Sequence, residues 1–176
     1  EYLLIQAEAG VCCPITMTYA AVPALTHHPQ ADEWLRRVTA AAYDPRAIPA
    51  AEKTGLTIGM AMTEKQGGSD VRANTTRAFP VGVEGPGQAY ELVGHKYFVS
   101  APMSDAFLTL AYLDGGLTCF LMPRFRPDGS RNSITIQRLK DKLGNRSNAS
   151  AEIEFRDAFA WRVGEPGRGV ATIIQM

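Results

Sequence analysis

Hydrophobic and polar positions follow two different periods along this chain, and the change falls near residue 55. Before it, apolar residues recur at helical spacing. Residues 1 to about 9 read as the end of a helix that Gly10 stops in the C′ role. A second helix is expected from Pro14 to about Leu25, with proline in the first turn and small residues (Ala20, Ala21) suited to close packing. A third is expected from an Asp32 N-cap through Trp34, Leu35, Val38 and Ala42, ending before Asp44-Pro45. Residues 47–53 read as a loop.

From Leu56 the period is two. Strands are expected at 56–62, 74–83, 89–94, 96–100, 106–113, 117–122, 133–139 and 151–155, with turn residues at 84–88, 114–116 and 127–130. Eight short strands at near-regular spacing predict an antiparallel barrel or sandwich. The run Gly164-Glu165-Pro166-Gly167-Arg168-Gly169 predicts a hinge-like loop leading into a further helix. The expected class is α+β: helices, then a β domain, then the first turns of a C-terminal helical part that the chain lacks. Both ends read as cuts through a longer protein.

Composition narrows the function classes. The chain has 176 residues, 45% of them hydrophobic and 20% charged, enough to bury a core. Basic and acidic residues balance at 18 each, so there is no chain-wide attraction to nucleic acid or anionic membrane. Three cysteines, two of them adjacent, form no disulfide framework and match no zinc spacing, which favours a reducing, cytoplasmic setting. His27-His28 beside Pro29 has no carboxylate or thiol at ligand spacing. No apolar run is long enough for a membrane span.

The candidate chemistry lies where strands end. Met62-Thr63 closes the first strand and runs into Gly67-Gly68-Ser69-Asp70, a turn in which hydroxyls and free backbone N–H groups meet. Such a corner holds phosphates or the polar edge of a cofactor ring; most runs of this kind, though, are surface turns capped by Ser and Asp. Ser100 closes the strand Lys96-Tyr97-Phe98-Val99-Ser100, with Phe98 as an apolar wall. Fixed donors at Thr63, Ser69 and Ser100 suit a flavin, whose pyrimidine side gains negative charge on reduction. Gly144-Asn145-Arg146-Ser147-Asn148 is a polar turn that reads as a ligand or partner contact or as a solvated connection. The basic run Arg131, Arg138, Lys140, Lys142, Arg146 is interrupted by Asp141 and has no interleaved aromatics, a poor nucleic-acid pattern.

Met62-Thr63-Glu64 followed by Gly68-Ser69-Asp70 resembles the flavin-binding signature of the acyl-CoA dehydrogenase family. The resemblance continues through Gly94-His95-Lys96-Tyr97-Phe98-Val99-Ser100, Asp141-Lys142-Leu143-Gly144 and Ala151-Glu152-Ile153-Glu154-Phe155-Arg156-Asp157-Ala158. Finer wording, Thr63 to Val71 and Lys140 to Ser150, with Cys12-Cys13-Pro14, is similar to that family's alkylation-response (AidB-like) branch.

The resemblance implies three parts: the end of an N-terminal helical domain at 1–54, a flavin-binding middle β domain at 55–163, and a linker into a C-terminal bundle at 164–176. It implies FAD between the middle domain and the bundle, in a homotetramer. Met62 and Thr63 would contact the isoalloxazine. Gly68 and Ser69 would meet the pyrophosphate, Ser69 alternatively the CoA moiety of the substrate. Phe98 would flank the ring and Ser100 would bond near N5. The chemistry implied is α,β-dehydrogenation of an acyl-CoA, with the catalytic carboxylate in the bundle and none in this chain, so the chain alone is expected to be inactive. The alternative is a flavin-containing DNA-binding protein of the alkylation-damage response, its DNA contacts lying in the C-terminal region. A β-domain interaction module without flavin is a third reading.

Overall fold

Gly10 does not end the first helix. In the computed structural model, which describes residues 2–174, α1 (Tyr2–Ala7) leads through a 3₁₀ turn (Ala9–Val11) straight into α2 (Cys12–Leu25). Gly10 sits inside that turn because a Cβ there would fall 1.9 Å from Ser147 Oγ. The glycine answers a tertiary approach, which local pattern cannot show. Pro14 does occupy the first turn of α2, where an N–H would have no helical partner. Thr18 ties α2 to the sheet: its Oγ1 accepts the Ile58 N–H at 3.1 Å and donates to the Pro14 carbonyl at 3.0 Å.

The third helix, α3 (Ala31–Val38), is shorter than expected, and its N-cap is Gln30 rather than Asp32. Asp32 and Glu33 lie in the first turn and Arg36 and Arg37 in the last, each complementing the helix dipole. The helix stops at Val38 because its C-terminal end serves the following loop. The Arg37 carbonyl accepts the Leu56 N–H (3.1 Å), and the guanidinium donates to Lys53 O (3.1 Å) and Ala51 O (2.9 Å). His28 is buried edge-on to Trp161, its Nδ1 accepts the Gln30 N–H, and burial pushes its pKa down to about 4.

The β part is a closed barrel. Its strands are β1 (Ile58–Ala61), β2 (Arg77–Pro80), β3 (Ala89–Ser100), β4 (Ala106–Leu113), β5 (Gly116–Pro123), β6 (Ile134–Leu139) and β7 (Ser150–Val163). Neighbours run β4-β2-β3-β7-β5, and β5 returns to β4 along its whole length, closing the ring. β1 pairs with β4 in parallel, Ile58 opposite Ala106, while β6 joins β7. Most pairs are antiparallel as expected; the β1–β4 and β2–β4 pairs are parallel.

Three strand bounds differ from the sequence pattern. β2 is confined to 77–80: Thr75 and Thr76 turn inward to bond Glu64 ahead of it, and residues 81–83 bend away after it. The two segments 89–94 and 96–100 form one strand, with bulges at 92–94 and 96–99. β7 runs past 155 to Val163: Arg156-Asp157, polar enough to read as a turn, is an exposed kink with Asp157 at φ 57°.

Two apolar cores result. One fills the barrel, with Tyr90, Leu92, Val99, Phe107, Phe120 and Phe155. The other lies between its wall and the helices, with Ala21, Leu25, Trp34, Ile58, Leu108, Leu121 and Ile173. After the 164–168 loop, α4 (Gly169–Ile173) packs on this second core, as the expected helical start does.

Candidate functional site

The segment leaving β1 is built by two glycines with different duties. Lys65 and Gln66 turn the chain, closed by the Gly67 N–H to Glu64 O bond of 3.0 Å, with Gly67 at φ +113°. That backbone region is strained for any L side chain. Gly68 has ordinary φ, but a Cβ there would lie 2.8 Å from Thr63 Oγ1. Gly68 is therefore required by close approach to the Thr63 hydroxyl, not by the turn. Asp70 caps the 3₁₀ turn Val71–Ala73 by accepting the Arg72 N–H at 3.2 Å. Ser69 is exposed beside Gly68.

What holds this segment is Glu64, a residue the sequence reading passed over. Its carboxylate is fully buried and meets Lys96 Nζ at 2.8 Å, also fully buried. Glu64 also accepts the backbone N–H and hydroxyl of Thr75 (2.6 and 2.9 Å) and of Thr76 (3.1 and 2.6 Å). Lys96 donates as well to Leu110 O at 2.7 Å. Burial pushes the Glu64 carboxyl upward. The Lys96 charge, with hydrogen bonds from Lys96, Thr76 and Thr75, overcomes that and holds it at about 2. One ion pair thus joins the glycine turn, the entry to β2, β3 and β4 at the barrel interior.

With Glu64 turned inward, Thr63 lies against β3: Thr63 and Phe98 form an antiparallel bridge, and the Tyr97 N–H bonds Thr63 O at 2.8 Å. The bulge between Lys96 and Val99 lets both of these point into the barrel and leaves Phe98 41% exposed. Ser100, half-buried, follows two residues on. Lys140 supports this wall. Its Nζ sits 3.0 Å from the Tyr97 ring centroid, 5.5 Å from that of Phe98 and 2.8 Å from Glu152 Oε1. Lys140→Met is expected to cost about 1 kcal/mol. Arg138→Ala, on the same carboxylate but 65% exposed, should cost less. Urea unfolding of the two variants measures the difference.

Thr63, Gly68 and Phe98 are therefore brought together, with Ser69 next to Gly68 and Ser100 at the end of the same strand as Phe98. Met62 is half-buried against the helix-side core, and its carbonyl accepts from Asn74 Nδ2 at 3.1 Å. A separate cleft of about 850 Å³ is lined by Ile15, Tyr19, Tyr43, Met103 and Arg124 among others, and by none of the six candidates. Thr63 and Phe98 are paired beside Gly68, and Phe98 leaves an aromatic face open to solvent. A Cβ at residue 68 would press on Thr63.

Residues 59–158 match the acyl-CoA dehydrogenase middle domain, and residues 1–45 match the adaptive response protein AidB N-terminal domain. The chain is 54% identical to AidB of Escherichia coli (strain K12), over 97% of the chain and 31% of that protein. It is 37% identical to acyl-CoA dehydrogenase family member 11 of Caenorhabditis elegans, over 100% of the chain and 29% of the relative. The solved structure of Caenorhabditis elegans ACDH-11 in complex with C11-CoA superposes with a TM-score of 0.76 at 34% identity, covering 92% of this chain and 28% of that one. The chain thus spans about a third of the length of these curated relatives. It belongs to the acyl-CoA dehydrogenase family, in its AidB-like branch.

Proposed function

We propose that the full-length protein is an FAD-dependent oxidoreductase acting on acyl-CoA thioesters, and that this chain supplies one wall of its flavin site. The observation that carries the reading is the Thr63–Phe98 bridge closed by Gly68: a hydroxyl, an exposed aromatic face and a glycine-only approach at one place. In this reading Met62 and Thr63 meet the isoalloxazine, with the Thr63 hydroxyl on its pyrimidine edge. The Gly68–Ser69 backbone and the Ser69 hydroxyl hold the pyrophosphate or the CoA moiety. Phe98 flanks the ring, and Ser100 donates near N5. When bound, FAD supplies the hydride acceptor for α,β-dehydrogenation.

No residue of this wall is a carboxylate free to take the α-proton, since Glu64 is committed to Lys96 and Asp70 to a cap. The family resemblance puts the base in the C-terminal bundle, outside this chain. The division 1–54, 55–163 and 164–176 is supported by the change of period and the family, the homotetramer by the family, and the cytoplasmic setting by the cysteine pattern. Anaerobic titration of the full-length protein with a medium-chain acyl-CoA tests the reading. Flavin absorbance should bleach stoichiometrically, and the 176-residue chain with added FAD should show no bleaching. A yellow full-length protein that no acyl-CoA bleaches would refute the assignment.

A further inference from the structure

Glu64 holds the glycine turn from inside the barrel, and two side chains with no role so far hold it from outside. The first is His95. Residues 95 and 96 follow one another in the regular part of β3 between its two bulges, so their side chains face opposite sides. Lys96 turns inward onto Glu64, while His95 Nε2 accepts the N–H of the next residue, Lys65, at 3.2 Å. Consecutive residues of one strand thus grip consecutive residues of the turn. His95 is itself fixed: its carbonyl accepts the Thr76 hydroxyl at 3.1 Å, and it pairs with Glu154 of β7.

The second is Gln66. Its amide Nε2 donates across the turn to Ala73 O at 2.9 Å and to Asn74 Oδ1 at 3.3 Å. Asn74, 5% exposed, donates onward to the Met62 carbonyl at 3.1 Å. One pair of amides therefore ties the chain before the turn, the turn itself and the chain after it.

What these bonds keep in place is a pair of donors. Among the described residues nothing accepts the Gly68 or the Ser69 N–H, and both residues are exposed. On a loose loop these groups would have to be ordered whenever an anionic oxygen bound, and that ordering is subtracted from affinity. On a turn clasped at Lys65 and Gln66 they are ordered beforehand. Neither clasp belongs to an apolar core: residues 65 and 66 are exposed and His95 is half-buried.

We propose that His95 and Gln66 are positioning residues for the cofactor, preorganising the Gly68 and Ser69 N–H groups for a phosphate of FAD. This rests on the reading that the turn meets the FAD pyrophosphate.

The experiment is a fluorescence titration with FAD of the full-length protein stripped of its flavin, alongside thermal melts of the same samples. His95→Leu and Gln66→Met should each weaken FAD binding at least about threefold, and the double variant at least about tenfold. All three should melt close to wild type. His95→Gln, whose side-chain oxygen can stand where Nε2 stands, should restore affinity to within about twofold of wild type. A role in stability alone would move the melt and leave the affinity. Gly68→Val serves as the reference. If it weakens binding while His95→Leu and Gln66→Met do not, the proposal falls and the flavin reading stands. If Gly68→Val leaves binding unchanged as well, both fall. Affinity that merely follows the melting temperature, with no rescue by His95→Gln, also overturns the proposal.

Discussion

Glu64→Leu is expected to lower stability by about 4 kcal/mol, because it strands the Lys96 ammonium in the barrel and removes the acceptor of four Thr75 and Thr76 donors. Lys96→Met should cost less, about 2 kcal/mol, since the carboxylate keeps those four donors. The order of the two, read by urea unfolding, matters more than either value. Equal losses would mean that the hydrogen bonds contribute nothing beyond the pair.

The acid limb gives an independent check. Glu64 sits at about 2 against an ordinary 4.5, so the folded state takes up its proton less readily than the unfolded chain. Its contribution is complete above pH 4.5 and drains away as pH falls toward 2. Wild type should lose more stability across that window than Glu64→Gln, whose side chain does not titrate. Parallel pH curves would place the stabilising charge elsewhere.

The second large effect concerns ligand, not fold. Gly68→Val puts a branched side chain where even a Cβ lies 2.8 Å from Thr63 Oγ1. FAD affinity of the full-length protein should fall at least about tenfold, a loss of about 1.4 kcal/mol. The melting temperature should fall less than for Gly67→Ala, since residue 68 is exposed and a shift of the Thr63 side chain relieves the clash. Gly67→Ala should do the reverse: at φ +113° and with open space around it, it strains the backbone by about 1–2 kcal/mol. A pair of variants behaving alike would erase the distinction between the two glycines.

Much of this was legible in residue order. The change of period at residue 55 places the barrel, and Thr63 and Phe98, both singled out in the sequence, are bridged in the structure. What stayed hidden depends on register. Strict alternation puts Lys96 and Phe98 on one face of β3, so a lysine facing the core cannot be inferred; the bulge at 96–99 separates them. Gly94 hides a similar fact: at φ +149°, its missing Cβ leaves room for Thr76, whose Oγ1 would stand 2.5 Å away. Gly10, read as a helix stop, answers Ser147, 137 positions on. Glu64 lay inside a recognised motif, yet its neighbours Thr63 and Gly68 drew the functional reading. The carboxylate's partners come from Thr75, Thr76 and Lys96, which no local window joins.

In the proposed site the flavin ring rests on the outer surface at Thr63, Gly68 and Phe98. Fluorine NMR of full-length protein carrying 4-fluorophenylalanine at position 98 reports on that surface alone. Added FAD should shift the resonance by ring current and saturate at one equivalent per subunit. A protein that binds FAD tightly while the position-98 signal stays still would show that the ring lies somewhere else.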